Sequence, residues 1–250
     1  MAGTIFSENY RIANFETDIR SDVTLQYLLD VIVQVSEDQS QNLQVGTNIV
    51  QQSGVTWVVI QYDVDINRLP KANESVKIQT QGTSYTRNFA DRHFWIRDMD
   101  DNILVSVNSL WVMMNLDTRK MVKIDVDVVT PYGSDKVKRI EKMRKIKKIE
   151  GIDPIEMKYP VCFTDIDFNG HVSNTRYIGC MSNTLDYDFL KNHVATKFSV
   201  KFADEVRYGD HVVSQAEIVE ADDNHAVTAH QILVAGKIKS VAQIEWKKTN

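Results

Sequence analysis

The chain has 250 residues, 29 basic and 34 acidic, for a formal net charge of −5, and 43% of it is hydrophobic, a balance that suits one globular domain or two of roughly 125 residues and excludes a disordered chain or a nucleic-acid binder. Its longest apolar run, Leu110 to Met114, falls far short of the ~20 residues that cross a bilayer, and Met1 to Tyr10 has no basic start leading into an apolar stretch, so the expectation is no membrane span, no secretory signal and a cytoplasmic location. Two cysteines, Cys162 and Cys180, exclude a disulfide framework and a four-thiolate metal site.

In chain order, Ser21-Asp22-Val23-Thr24 offers helix-capping residues. Leu28, Val31, Ile32 and Val35 then fall at i, i+3, i+4 and i+7, which predicts an amphipathic helix over 21–36. Stretches rich in Val, Ile, Thr and aromatics follow at 57–66, 75–83, 89–98 and 104–114 and read as strands. Asp100-Asp101-Asn102 between the last two reads as a hairpin turn, because these residues tolerate positive φ. The segment 134–150 holds 8 of the 29 basic residues against 3 acidic ones. Its plain reading is a solvated linker between an N-terminal domain, 1–133, and a C-terminal one, 151–250. A docking surface for an acidic partner is the sharper reading.

Past the linker the order of elements returns. A strand-like 159–163 precedes the helical spacing of Ile178, Met181 and Leu185, and strand-like stretches follow at 197–203, 212–220, 226–235 and 237–247. A shift of 149 residues lays Tyr10 on Tyr159, Asp18 on Asp167 and Val23 on Val172, and a shift of 136 lays Asn73-Glu74-Ser75-Val76 on Gly209-Asp210-His211-Val212. One helix followed by an antiparallel meander, twice over, predicts an α+β fold of two similar units.

The stretch richest in chemistry runs from Thr164 to Asn174. Asp167, Asn169 and His171 sit at i, i+2 and i+4, so an extended backbone would turn all three side chains to one side, just ahead of a helix. A carboxylate or imidazole there could take a proton from water, an amide could orient a partner, and N–H groups at the helix start could stabilise a developing oxyanion. The plain alternative is that Asp and Asn cap the helix and the lone His does nothing special. In the first half the matching positions hold Asp18, Arg20 and Asp22, so only the second half has the complete set.

The run Asp167-Phe168-Asn169-Gly170-His171-Val172-Ser173-Asn174-Thr175-Arg176-Tyr177-Ile178-Gly179 resembles the second-half motif of acyl-acyl-carrier-protein thioesterases. Two first-half segments are similar to the same family: Arg68-Leu69-Pro70 with Asn73-Glu74-Ser75-Val76, and Leu110 to Lys120 around Trp111-Val112-Met113-Met114-Asn115. The resemblance implies a tandem, or double, hot-dog fold, in which each of two antiparallel sheets wraps a long helix. It also implies hydrolysis of fatty acyl-acyl carrier protein, with that carrier as partner and no metal or organic cofactor. The family's catalytic network falls on Asp167, Asn169, His171 and a strand glutamate, Glu205, with Asp204 its immediate neighbour. Plant members have a cysteine after that glutamate, where this chain has Val206, so no thiol acts from there. Cys162 and Cys180 read as small apolar core residues. The family's helix often carries an acidic residue where this chain has Asn183. No plastid-targeting extension is visible, which points to a bacterial-type member.

Water attack on the thioester is the expected chemistry, with Asp167 as base or nucleophile, His171 and Glu205 activating water, and Asn169 holding the network. The backbone N–H groups of Val172 and Ser173 are the expected oxyanion donors. An apolar acyl slot is expected in the first half, with Trp57, Val59 and Trp111 as candidate lining or as plain core. Lys142, Arg144 and Lys145 are the candidates for carrier docking. A coenzyme A thioesterase and a non-catalytic acyl-thioester-binding module are the other readings, and assembly into a homodimer is left open.

Overall fold

The computed structural model describes residues 3–249. By internal contacts the chain forms two compact units: the segment up to Ala13 with Asp30–Met143, and Asn14–Leu29 with Arg144 onward. The division between the units runs between Met143 and Arg144, and a short N-terminal piece, Asn14–Leu29, clusters with the C-terminal half. Its anchor is Arg20, whose Nη1 donates to the carbonyls of Leu190, at 2.6 Å, and His193, at 2.5 Å.

In the first unit β1 (Phe6–Arg11), β2 (Val55–Ile66), β3 (Ser75–Tyr85), β4 (Ala90–Arg97) and β5 (Ile103–Asn115) form an antiparallel sheet in the order β1-β3-β4-β5-β2. A short β6 (Met121–Val122) extends β5. The turn between β4 and β5 is set by its own side chains: Asp98 accepts from the Asn102 side-chain amide and from the N–H groups of Asn102 and Asp100, and Asp101 takes φ +67°; the bonds, that of the Asn102 side chain foremost, hold the Asp98 carboxyl below its usual range. Helix α1 spans Leu25–Asn42. It starts later than expected, because Ser21 sits in a turn at φ +62° and Thr24 is the capping residue, accepting from Tyr27 N–H. It also runs past the apolar stripe, carried by the i,i+4 bonds Gln34 to Asp38 and Gln41 to Glu37. A buried polar network lies beyond the stripe: Arg92 donates to Gln39 Oε1 at 2.6 Å and to Thr80 Oγ1 at 3.0 Å, and its guanidinium stacks 4.7 Å from the centre of the Tyr132 ring.

The second unit repeats the plan. After α2 (Thr47–Gln52) and α3 (Val126–Val129) of the first unit and a two-residue β7 (Asp135–Lys136), the chain forms β8 (Ile155–Pro160), α4 (Asn174–Asn183), α5 (Tyr187–Asn192), β9 (His193–Phe202), β10 (His211–Ala221), β11 (His225–Val234) and β12 (Lys237–Lys248). The strands order as β9-β12-β11-β10-β8, antiparallel throughout, and α4 packs on β10, β11 and β12. The sequence repeat is visible in the pairing: Tyr10 faces Val76 as Tyr159 faces Val212. Among the described residues no helix is long and apolar enough to cross a membrane.

In the second core His230 of β11 is fully enclosed, sharing a 2.7 Å hydrogen bond with Thr228 Oγ1, which also accepts from Trp246 Nε1. Burial disfavours the imidazolium and brings the pKa of His230 down to about 3. The unfolded chain takes up this proton below about pH 6.5 while the folded chain does not. Stability linked to His230 is thus complete above that pH and lost as pH falls toward 3, by about 2 kcal/mol at about pH 5. Urea unfolding at about pH 7.5 and about pH 5 should show this loss in the wild type and a smaller one in His230→Gln.

Candidate active site

The loop between β8 and α4 opens with a one-turn 3-10 helix, Phe163–Asp165. An isolated bridge then pairs Ile166 with Val172. Inside it, Asp167 N–H donates to His171 O at 2.9 Å, Gly170 N–H donates to Asp167 O at 2.9 Å, and Gly170 takes φ +83°. The backbone is therefore a tight turn, not the extended run in which Asp167, Asn169 and His171 share one side. Glycine serves because a side chain at that φ is strained. Asn169 is exposed, and its backbone N–H donates to Asp167 Oδ1 at 2.8 Å, fixing that carboxylate.

Three of the four expected residues converge. His171 Nδ1 lies 3.9 Å from Asp167 Oδ1, and His171 Nε2 lies 3.7 Å from Glu205 Oε1. All three side chains are partly shielded, with exposures of 18–25%. Asp204 turns elsewhere and pairs with Lys239, so the neighbouring carboxylate beside His171 is that of Glu205. These separations exceed hydrogen-bond length, yet they are too short for a water to stand in line between the two atoms, so a water touching both would sit beside that line.

What holds Glu205 there is the backbone of the next residue. Val206 N–H donates to Tyr177 Oη at 3.0 Å, and Val206 O accepts from Val172 N–H at 2.8 Å. Val206 and Tyr177 are buried, at 1% and 4% exposure, and the Tyr177 ring meets Phe202 edge to face. Burial raises the Tyr177 pKa, so its hydroxyl stays protonated. Reading the sequence for function missed Tyr177, because an aromatic residue inside an amphipathic helix reads as core packing.

The expected oxyanion donors are corrected. Val172 N–H is taken by Val206 O, and Ser173 N–H donates to Asp165 O at 2.9 Å. Both bonds shape the loop and leave neither amide free. Cys162 is also corrected: it is exposed and starts the 3-10 turn, its N–H donating to Asp165 Oδ2 at 2.8 Å. Cys180 lies in α4, and burial pushes its thiol pKa up to about 11, away from the thiolate.

The first half holds the same loop, 149 residues earlier. Thr17 bridges Val23, Asp18 N–H donates to Asp22 O at 2.8 Å, Ser21 N–H donates to Asp18 O at 2.9 Å, and Arg20 N–H donates to Asp18 Oδ1 at 2.8 Å. Here Arg20 pairs with Asp18 at 2.6 Å and with Asp22 at 3.5 Å. A guanidinium closed between two carboxylates offers no base to a substrate.

The other candidates belong to the first sheet and to the basic segment. Val59 faces Trp111 and Trp57 faces Met113 across β2 and β5, so Trp57, Val59 and Trp111 share one face of the first sheet. Val59 is buried, and Trp111 Nε1 donates to Ser109 Oγ at 2.7 Å. Lys142 and Lys145 are exposed and Arg144 is half-buried. Farther along, Lys147 N–H donates to Gln243 Oε1 at 3.0 Å and its ammonium pairs with Glu220, which fixes the end of the basic segment on the second sheet.

Sequence models of the acyl-ACP thioesterase N-terminal and C-terminal domains match residues 3–132 and 146–248. The oleoyl-acyl carrier protein thioesterase of Coriandrum sativum is 26% identical over 90% of this chain and 66% of its own length. An acyl-[acyl-carrier-protein] hydrolase of Cuphea viscosissima is 22% identical over 99% of this chain and 64% of its own. The chain thus spans about two thirds of the length of these curated relatives. Among solved structures, a Lactobacillus plantarum protein provisionally named an oleoyl thioesterase is 39% identical, with a TM-score of 0.97 over 99% of this chain and 98% of that one. An acyl-ACP thioesterase from Bacteroides thetaiotaomicron, 22% identical, shares the fold with a TM-score of 0.84 over 97% of both chains. The double hot-dog expectation holds for this chain.

Tyr177→Phe removes the acceptor of the buried Val206 N–H. It should destabilise the protein by about 1–3 kcal/mol, read as a lower urea midpoint. An unchanged midpoint would show that the clamp on Val206 carries no weight.

Proposed function

The chain belongs to the acyl-ACP thioesterase family, and from that premise we propose that it hydrolyses fatty acyl-acyl carrier protein to free fatty acid and the carrier thiol, in the cytoplasm. The observation that carries this reading is His171 standing between two carboxylates, Asp167 and Glu205, at 3.9 and 3.7 Å.

A water beside Glu205 and His171 attacks the thioester carbonyl, giving its proton to His171 as the C–O bond forms. The tetrahedral intermediate then expels sulfur, which leaves as the thiol once His171 returns a proton. Asp167, fixed by Asn169 N–H, orients the imidazole from its other side and stabilises the imidazolium. Direct attack by Asp167 would instead form an anhydride. Label from oxygen-18 water appearing in Asp167 after a single turnover would mark that covalent route. Because Val172 and Ser173 are engaged, the oxyanion role passes to the first-turn amides of α4, at Asn174 and Thr175, which have no intrahelical acceptor. The acyl chain would lie along the Trp57, Val59 and Trp111 face, and the acidic carrier would meet Lys142, Arg144 and Lys145.

The test is release of free fatty acid from a ladder of acyl-carrier-protein substrates, with the same acyl groups on coenzyme A alongside. The wild type should turn over the carrier esters with the higher kcat/KM. Asp167→Asn and His171→Ala should each lose at least about a hundredfold in kcat, and charge reversal at Lys142 and Lys145 should raise KM for carrier esters alone. Near-wild-type turnover by either site variant would refute the site, and preference for coenzyme A esters would refute the substrate.

A further inference from the structure

Besides the catalytic candidates of the second unit, the first unit carries an open cavity of about 910 Å³ whose lining includes Val55, Met113, Val122 and Ile124 with Arg87 and Lys123. Its floor is continuous with the core: Met113 and Ile124 belong to a buried cluster with Val50, Tyr85 and Val129, and Val55 and Val122 pack against it. Val55 lies two residues before Trp57 on β2, and Trp57 faces Met113, so the floor extends the same sheet face that carries Trp57, Val59 and Trp111.

The rim has the opposite chemistry. Arg87, in the turn between β3 and β4, and Lys123, just after β6, are both exposed. Their segments are tied together where Ile124 N–H donates to Arg87 O at 2.9 Å. Among the described residues neither side chain makes an ion pair. The acidic member of the lining, Asp125, faces its own helix: its Oδ1 caps α3 by accepting from Asp127 N–H at 3.0 Å. Met121 adds an apolar lip at 49% exposure. An aliphatic floor beneath two unpaired cations fits an amphiphile with one anionic head, and flexible methionines adapt to an alkyl chain.

We propose that this cavity is a binding site for a long-chain fatty acid anion, its tail on Val55, Met113, Val122 and Ile124 and its carboxylate between Arg87 and Lys123. The choice of a fatty acid rests on the proposed hydrolysis, which releases such an anion. The site gives the protein a way to hold its own product in the unit that lacks the complete catalytic set.

Oleate and oleyl alcohol, each below its aggregation limit, are titrated calorimetrically into the full chain. Wild type should bind oleate at least about tenfold more tightly than oleyl alcohol. The double charge reversal Arg87→Glu with Lys123→Glu should weaken oleate by at least about tenfold and leave oleyl alcohol nearly unchanged. Val122→Asp, which sets a charge on the floor, should weaken both. No oleate binding by wild type, equal affinity for oleate and the alcohol, or an oleate affinity indifferent to the charge reversal overturns the site. Carrier-ester hydrolysis is measured on the same preparations. Hydrolysis absent with charge-sensitive oleate binding present would sink the proposed activity and sustain this site. Hydrolysis present with charge-insensitive binding would sink this site alone.

Discussion

Two hydrogen bonds to the backbone of one residue organise the candidate site. Val206 N–H is held by Tyr177 Oη from α4, and Val206 O is held by Val172 N–H from the loop that carries Asp167 and His171. Glu205 and His171 each stand one residue before these anchors, so fixing Val172 against Val206 sets the Glu205 carboxylate 3.7 Å from the imidazole. Both anchors are buried, where water competes poorly for the bonds and an unmet N–H is costly. The same geometry explains why a valine suits position 206. Its side chain is core, and the work at that position is done by its backbone.

The loop is built twice, and the comparison separates shape from chemistry. Asp18 and Asp167, and Ser21 and Gly170, donate the same backbone bonds at 2.8–2.9 Å, and Val23 and Val172 each close an isolated bridge. The side chains differ where it matters. Arg20 and Asp22 replace Asn169 and His171, and the guanidinium closes over both aspartates and the carbonyls of Leu190 and His193. One copy became a structural staple, the other a carboxylate–imidazole–carboxylate row in which Arg207 Nη2 also stands 3.5 Å from Glu205 Oε2. The loop conformation alone is therefore no sign of activity. An imidazole set between two carboxylates is what distinguishes the second copy.

Much of the fold was legible in the sequence, because it is written in local periodicity. The apolar stripe of α1, the alternating strands and the two register shifts of 149 and 136 residues reappear in the pairing of Tyr10 with Val76 and Tyr159 with Val212. What was not legible depends on distant partners or on φ. Gly170 at φ +83° turns the i, i+2, i+4 spacing into a turn, so Asn169 contributes through its N–H. Val172 and Ser173 looked like free donors, since their acceptors, Val206 and Asp165, are chosen by tertiary contact. Cys162 looked like core, but its strand ends at Pro160. Tyr177 could have been suspected only from a hydroxyl placed inside an otherwise apolar helix face.

The central claim is that Tyr177 acts through Val206 to keep Glu205 at His171. A double-mutant cycle of Tyr177→Phe and Glu205→Gln on kcat/KM for an acyl-carrier-protein substrate tests it most directly. If the tyrosine works through the glutamate, the double variant will be no slower than Glu205→Gln alone. If the two losses multiply in full, Tyr177 acts independently of Glu205 and the account is contradicted.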